Sequence, residues 1–398
     1  MQGMEERIFN MDKINGSMRR TEFDDIRPYY DSEIPAAMQR IADNVSFPLL
    51  ASYVYPKDNI ETIREQIRNY RTVRDFQLEV MRCVNEQVIA RSTDGLTYGG
   101  IEKLDPNKRY LFVSNHRDIM LDACFLQYVL NMNGHQTSEI TFGANLMQGQ
   151  LVTDIGKSNK MFRVERPGMN PREFYRSSLH LSEYMRYTLI EKHESIWIAQ
   201  RNGRTKDGAD HTDQGIIKMF GMSYRGDKVN ALSELNIIPV SISYEWESCD
   251  LLKTLELYQS RKENYIKKPG EDLNSILTGI VQQKGKVHIE LCDIVSFEDL
   301  CQFDSCTAGE YNRRVANLLD QRICLAYRLS PNNYIAHDLR YNKEEYKDRY
   351  TQDEKGKFID HIRQLDKYAD TCNMDELEDI FLGIYSNPIE SKKHFSNI

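Results

Sequence analysis

The chain has 398 residues, 28% of them charged, and a formal net charge of -8. That length can bury a large core with appended segments, and the acidic balance argues against general nucleic-acid binding through a basic surface. The eight cysteines lie scattered in apolar stretches, as in a cytoplasmic protein with reduced thiols, and Cys301 and Cys306 lack the second Cys or His pair that zinc requires.

No apolar core follows Met1, and the longest apolar stretches are broken by Asp122 and Gln127 or by Pro48. The sequence therefore predicts neither a signal peptide nor a membrane span. Residues 1–30 are polar and expected to be loosely ordered. A helical pattern then opens at Glu33-Ile34-Pro35, followed by an apolar turn at 47–50. From a capped start at 58–61, apolar residues recur at Ile60, Ile63, Ile67, Tyr70, Val73, Val80, Val84 and Val88, which reads as one long amphipathic helix. Glu61, Glu65 and Glu79 interrupt its basic face, so it is expected to pack on neighbouring helices rather than on a membrane.

After Gly95, Gly99 and Gly100 the texture changes. Strands are predicted over 110–114, 139–142, 161–165, 196–199, 237–244 and 286–292, with helices between them. One of those helices starts at Asn170-Pro171, where Asn170 caps and Pro171 takes the first turn. This alternation predicts an α/β fold, a mostly parallel twisted sheet with helices on both faces. Helical texture returns over 311–329 and 374–385. The resulting division is an N-terminal helical region over 1–94, an α/β domain over 95–296 and a C-terminal helical region over 297–398.

The strand at 110–114 turns abruptly polar at Ser114-Asn115-His116, and a nearly all-apolar helix follows from Ile119 to a stop at Gly134. In open α/β sheets the carboxyl end of a strand faces the ligand crevice, and a helix start offers free N–H donors. His116 with Asp118 and Asp122 suits a general base held in its tautomer by an acid, although a structural histidine fits the same letters. The kinase reading of His116-Arg117-Asp118 fails, because no glycine-rich loop precedes it and no Asp-Phe-Gly follows. A metal site would need further His or Cys at ligand spacing. Two more strands end in basic turns. Arg163 and Arg166 flank the end of one. Arg201, Gly203, Arg204, Lys206 and Gly208 follow the other, where glycine lets backbone approach a ligand and the cations suit a phosphate or phosphopantetheine group.

Taken in order, Asn115-His116 with Asp122, Phe162-Arg163-Val164-Glu165-Arg166, Trp197 to Arg204, and Ile238 to Glu245 resemble the four blocks of the glycerophosphate and acylglycerophosphate acyltransferase superfamily. The fourth block looks more like the glycerol-3-phosphate branch. The resemblance spans about residues 90–295 and departs at two places. Five residues separate His116 from Asp122 where the family has four, and Gln200 stands where the family usually has glutamate.

The resemblance implies an O-acyltransferase of phospholipid biosynthesis. It would move a fatty acyl group from a thioester of coenzyme A or acyl carrier protein to a hydroxyl of glycerol 3-phosphate or a lysolipid. His116 would be the base and Asp122 would orient it, with Asp118 as fallback partner and helix cap. Backbone N–H groups at the helix start, or Arg117, would meet the oxyanion. Arg117, Arg163, Arg166, Gln200, Arg201, Gly203, Arg204 and Pro239 would contact substrate. No metal or resident cofactor is implied. The protein is expected in the cytoplasm, with at most weak, apolar, peripheral contact at the inner face of the membrane. The rivals are a non-catalytic lipid- or acyl-carrier-binding protein on the same fold, and an acyl-thioester hydrolase.

Overall fold

The computed structural model describes residues 11–14, 17–165, 170–262 and 265–396. Runs of β-branched and aromatic residues form a seven-stranded sheet from β3 (Leu96–Gly99), β4 (Leu111–Ser114), β5 (Glu139–Gly143), β6 (Met161–Val164), β7 (Ile196–Ala199), β8 (Ile237–Tyr244) and β9 (Val287–Leu291), in the order β3-β9-β8-β4-β7-β5-β6. Neighbours run parallel except β8 and β9, which are antiparallel. A separate hairpin pairs β1 (Met11–Ile14) with β2 (Ser17–Arg20).

Helices cover both faces, as the apolar strands require. Leu111 and Val113 of β4 point to one side, where they pack with Tyr184, Phe220, Val229 and Leu319. Phe112 points to the other, against Phe125, Leu126 and Val129 of the helix Leu121–Met132. Two satellite cores complete the molecule. Ile34, Met38, Phe47 and Ile67 gather near the N-terminus, and Ile335, Phe358, Phe381 and Tyr385 near the C-terminus.

Several elements differ from the sequence expectation for local reasons. The single long helix is broken. Asn59 caps Ile60–Arg68, and Thr72 with Asp75 forms a fresh capping box at Val73, so the chain restarts after residues 69–72. The stretch over 47–50 opens the helix Phe47–Val54 instead of a turn, with proline at its tolerated first-turn position. Of the N-terminal stretch expected to be loose, residues 1–10 lie outside the described residues, while Phe23 and Ile26 enter the main core. Strand β3 is an unanticipated edge, short and half exposed.

The last helix runs through Pro388 to Ser396. Proline lacks the N–H that would bond to the Ile384 carbonyl, and Gly208 packs directly on that carbonyl. A β-carbon at Gly208, which has φ +78°, would stand 1.9 Å from Ile384 O. Asn387 Nδ2 also donates to Asp207 O at 2.7 Å, so the C-terminal helix braces the loop after β7.

Candidate active site

Three strands deliver the site. His116 follows the end of β4, Arg204 lies in the loop after β7, and Tyr244 ends β8. Asn115 locks the turn by imitating backbone. Its Oδ1 accepts from Ile242 N at 2.8 Å and its Nδ2 donates to Ile242 O at 2.9 Å, which extends the β4–β8 pairing past Ser114. The next carbonyl, His116 O, accepts from Thr205 N at 2.8 Å, so the loop carrying Arg204 is tied beside the histidine.

His116 Nδ1 stands 2.9 Å from Asp122 Oδ2. The extra residue between them is absorbed before the helix, which begins at Leu121 rather than Ile119. Asp122 is fully buried and accepts from Arg117 N at 2.6 Å, Asp118 N at 2.9 Å and Tyr244 OH at 2.8 Å. A carboxylate only accepts, which assigns the imidazole proton to Nδ1 and leaves Nε2 as the basic nitrogen. No described residue engages Nε2 through a hydrogen bond, and the His116 side chain is 12% exposed, enough to meet a ligand. The Trp197 ring sets one wall at 5.9 Å between centroids, held by its Nε1 donating to Ser114 Oγ at 3.0 Å. Beside the anionic Asp122, the buried Tyr244 hydroxyl is pushed well above its ordinary pKa by burial and then by that charge, so it remains a donor.

Asp118 serves as a cap. Its Oδ1 accepts from Met120 N at 2.9 Å and Leu121 N at 2.8 Å, and its Oδ2 from Ser248 Oγ. The N–H groups of Arg117, Asp118, Met120 and Leu121 are therefore engaged within the turn, so they do not form the oxyanion site expected from the sequence.

Arg117 also departs from expectation. Its guanidinium is fully buried, bonded to Asp210 Oδ2 at 2.6 Å, Gly208 O at 3.1 Å and Glu247 Oε2 at 3.2 Å, and it lies 4.9 Å from the centre of the Tyr327 ring. Burial opposes its charge, but Asp210, Tyr327 and Glu247 outweigh that and hold its pKa well above the ordinary value. Lys253 completes this sealed network, donating to Glu247 Oε1 at 2.6 Å and to Arg117 O at 2.8 Å. Arg117 is a strut behind the turn, its guanidinium wholly buried among these partners.

Arg204 is different. It is 7% exposed, its Nη1 is buried, and no described residue accepts from its guanidinium. A buried cation with open donors, on the loop tied to the His116 carbonyl, suits an anion. Gly203, at φ +75°, makes the left-handed turn that sends the chain there, and Arg201 is half-buried without an ion pair among the described residues. Gln200 is buried, with Oε1 accepting from Thr212 Oγ1 at 3.4 Å and Nε2 unpartnered.

The remaining expected contacts do not converge here. Through the registers linking Phe112, Trp197, Ile140 and Met161, Arg163 stands level with Ser114 but three strands away, roughly 14 Å. It pairs instead with Glu165 at 2.7 Å. Arg166 lies outside the described residues. Pro239 is buried in mid-strand opposite Val113, three residues or roughly 10 Å short of the level of His116, and its carbonyl serves the sheet by accepting from Cys292 N.

Sequence reasoning missed Tyr244, Asp210, Glu247 and Lys253. Only Tyr244 carried a signal, since its alternation in β8 puts it on the face of Ile238, Val240 and Ile242. A cavity of about 590 Å³ lined by His288, Arg322, Tyr327, Arg328 and Lys392 does not include His116 or Asp122. Among the described residues no helix is long and apolar enough to cross a membrane.

Residues 95–243 match the family model described as Acyltransferase. Among solved structures, the chain is similar to the 1-acyl-sn-glycerophosphate (LPA) acyltransferase PlsC from Thermotoga maritima. The two share 14% identity with a TM-score of 0.33, and the match covers 72% of this chain and 94% of that one. No curated protein matches.

Proposed function

From the premise that residues 95–243 form an acyltransferase domain, we propose that the protein moves a fatty acyl group from an acyl-thioester to the hydroxyl of an anionic glycerolipid precursor. The acceptor is glycerol 3-phosphate or a lysolipid, and the donor carrier is coenzyme A or acyl carrier protein. The observation that carries this reading is the His116–Asp122 pair at 2.9 Å, with Nε2 unpartnered among the described residues, together with the buried Arg204 on the loop tied to the His116 carbonyl, whose guanidinium meets no acceptor among the described residues.

His116 Nε2 takes the proton of the acceptor hydroxyl as its oxygen attacks the thioester carbonyl. The imidazolium this creates is stabilised by Asp122, whose position Tyr244 and two backbone N–H groups fix. Collapse of the tetrahedral intermediate breaks the carbon–sulfur bond, and the proton passes from Nε2 to the leaving thiolate. Arg204 holds the acceptor's phosphate, with Arg201 at the mouth of the loop.

The test is to incubate wild type and His116→Ala with a labelled long-chain acyl-thioester and a mixed pool of lysolipids and glycerol phosphate, then identify acylated products by mass. A product formed by wild type and absent from the variant supports transfer and names the acceptor. Free fatty acid appearing without any acceptor would replace this reading with hydrolysis, and bound but intact donor would replace it with a binding protein.

A further inference from the structure

The helix Glu271–Val281 lies directly over the catalytic turn. A β-carbon on Gly279 would stand 2.3 Å from Asp118 Oδ2, so glycine is what lets the helix come this close. The outward surface of that helix is unusual for a chain of net charge -8. Gly279 is its one buried residue. Leu273, Leu277 and Val281, spaced four apart and therefore aligned along one face, are 56%, 55% and 66% exposed, and Ile266 just ahead of the helix is 83% exposed.

Cations border this stripe. Arg261, Lys267 and Lys268 are exposed before it and Lys286 after it. Two acids at the helix start are engaged locally. Glu271 accepts from Tyr265 OH at 2.6 Å, and Asp272 accepts from Lys267 Nζ at 2.6 Å and Asn145 Nδ2 at 2.8 Å. An exposed apolar stripe with a basic margin matches a surface that lies at the headgroup boundary of an anionic bilayer. A second copy of the chain fits less well. In a two-fold contact the patch meets itself, which would crowd the lysines of both copies around one seam.

We propose that the helix Glu271–Val281, together with Ile266, docks the protein on an anionic lipid surface and so holds the turn at His116 one helix diameter, roughly 10 Å, from the bilayer that contains its substrate. The proposal rests on the acyl-transfer reading and adds the source of its amphiphilic substrate. Docking leaves the catalytic side chains untouched, because the stripe faces away from Asp118.

The experiment floats the full chain with vesicles of phosphatidylglycerol and phosphatidylethanolamine, and separately with vesicles of phosphatidylcholine alone. Wild type and His116→Ala should float equally with the anionic vesicles, which makes the result independent of turnover. The triple variant Leu273→Ser, Leu277→Ser, Val281→Ser should bind at least about ten-fold more weakly. It should keep wild-type circular dichroism and turnover of a dispersed, water-soluble acyl-thioester. Lys267→Glu with Lys268→Glu should lose about five-fold or more per lysine at low salt, and less at high salt. Wild type that stays unbound, or a triple variant that floats like wild type, overturns the proposal. So does a wild-type dimer in light scattering that the triple variant converts to monomer, since that would assign the stripe to a second copy.

Discussion

The Tyr244 hydroxyl donates to Asp122 Oδ1 at 2.8 Å, on the carboxylate oxygen that His116 leaves free. The other oxygen is held by two consecutive backbone N–H groups and the imidazole. The carboxylate thus cannot rotate without breaking several bonds at once, and the direction of the His116 ring follows from it. The rigidity comes from the end of β8 and the turn after its neighbour β4, not from helical spacing, which alone would place the two side chains on different faces.

Tyr244→Phe removes one donor and keeps the ring packed. The expected result is a fall in kcat of roughly ten-fold with KM nearly unchanged, and a stability loss of about 1–2 kcal/mol from the stranded carboxylate oxygen. Steady-state kinetics and denaturant midpoints check both. A change confined to KM would place Tyr244 on the substrate.

The two aspartates should separate cleanly. Asp122→Asn should cost about 10²- to 10⁴-fold in kcat, because the amide cannot stabilise the imidazolium. Asp118→Asn keeps an acceptor for Met120 N and Leu121 N, so it should cost far less activity and about 1 kcal/mol of stability. Parallel measurement of turnover and thermal midpoint ranks them, and the reverse order would move the dyad to Asp118.

The two arginines should fail in opposite ways. Arg204→Ala deletes a cation that has no acid partner among the described residues, so the fold should persist while KM for the anionic substrate rises about ten- to hundred-fold, the worth of a charge-assisted hydrogen bond. Arg117→Met strips buried Asp210 of its counter-charge and leaves Glu247 with Lys253 alone, which should destabilise the protein by about 3–5 kcal/mol. Equal KM effects from both would contradict the division between strut and ligand.

The sheet and the His116 turn were legible because their signals are local. Buried strands read as apolar runs, and a polar break at a strand end marks the crevice. The roles of the arginines were not legible, because charge type says nothing about what lies across the fold. Arg117 stands one residue from the base yet meets Asp210 and Glu247, residues brought in by a loop and by the segment after β8. Arg204 looks the same in sequence but meets no acid among the described residues. Pro239 is a sheet residue for the same reason: register, not composition, sets its distance from His116. The continuation of the last helix through Pro388 was likewise hidden, since the free Ile384 carbonyl it creates is accommodated by Gly208, far away in the chain.

Lys284 gives the site a pH signature. Its ammonium is fully buried and donates to Gln282 O at 2.7 Å and Ser92 Oγ at 2.9 Å, tying the end of the Glu271–Val281 helix to the helix Arg82–Ser92. Burial lowers its pKa from 10.5 to about 8, with the Asp118 carboxylate pulling the other way. The folded value lies below the unfolded one, so between the two the unfolded chain binds more protons and stability rises with pH. The contribution is complete above the unfolded value and is lost as pH falls through the folded one. Lys284→Met removes the titrating group. The stability difference between wild type and variant, followed by denaturant unfolding from about pH 7 to about pH 11, should shift in favour of wild type by up to about 3 kcal/mol. Taking the difference cancels the tyrosines and surface lysines that titrate alike in both proteins. A flat difference would mean that the ammonium is solvated in the folded state and that the helix over the catalytic turn is held by its apolar contacts alone.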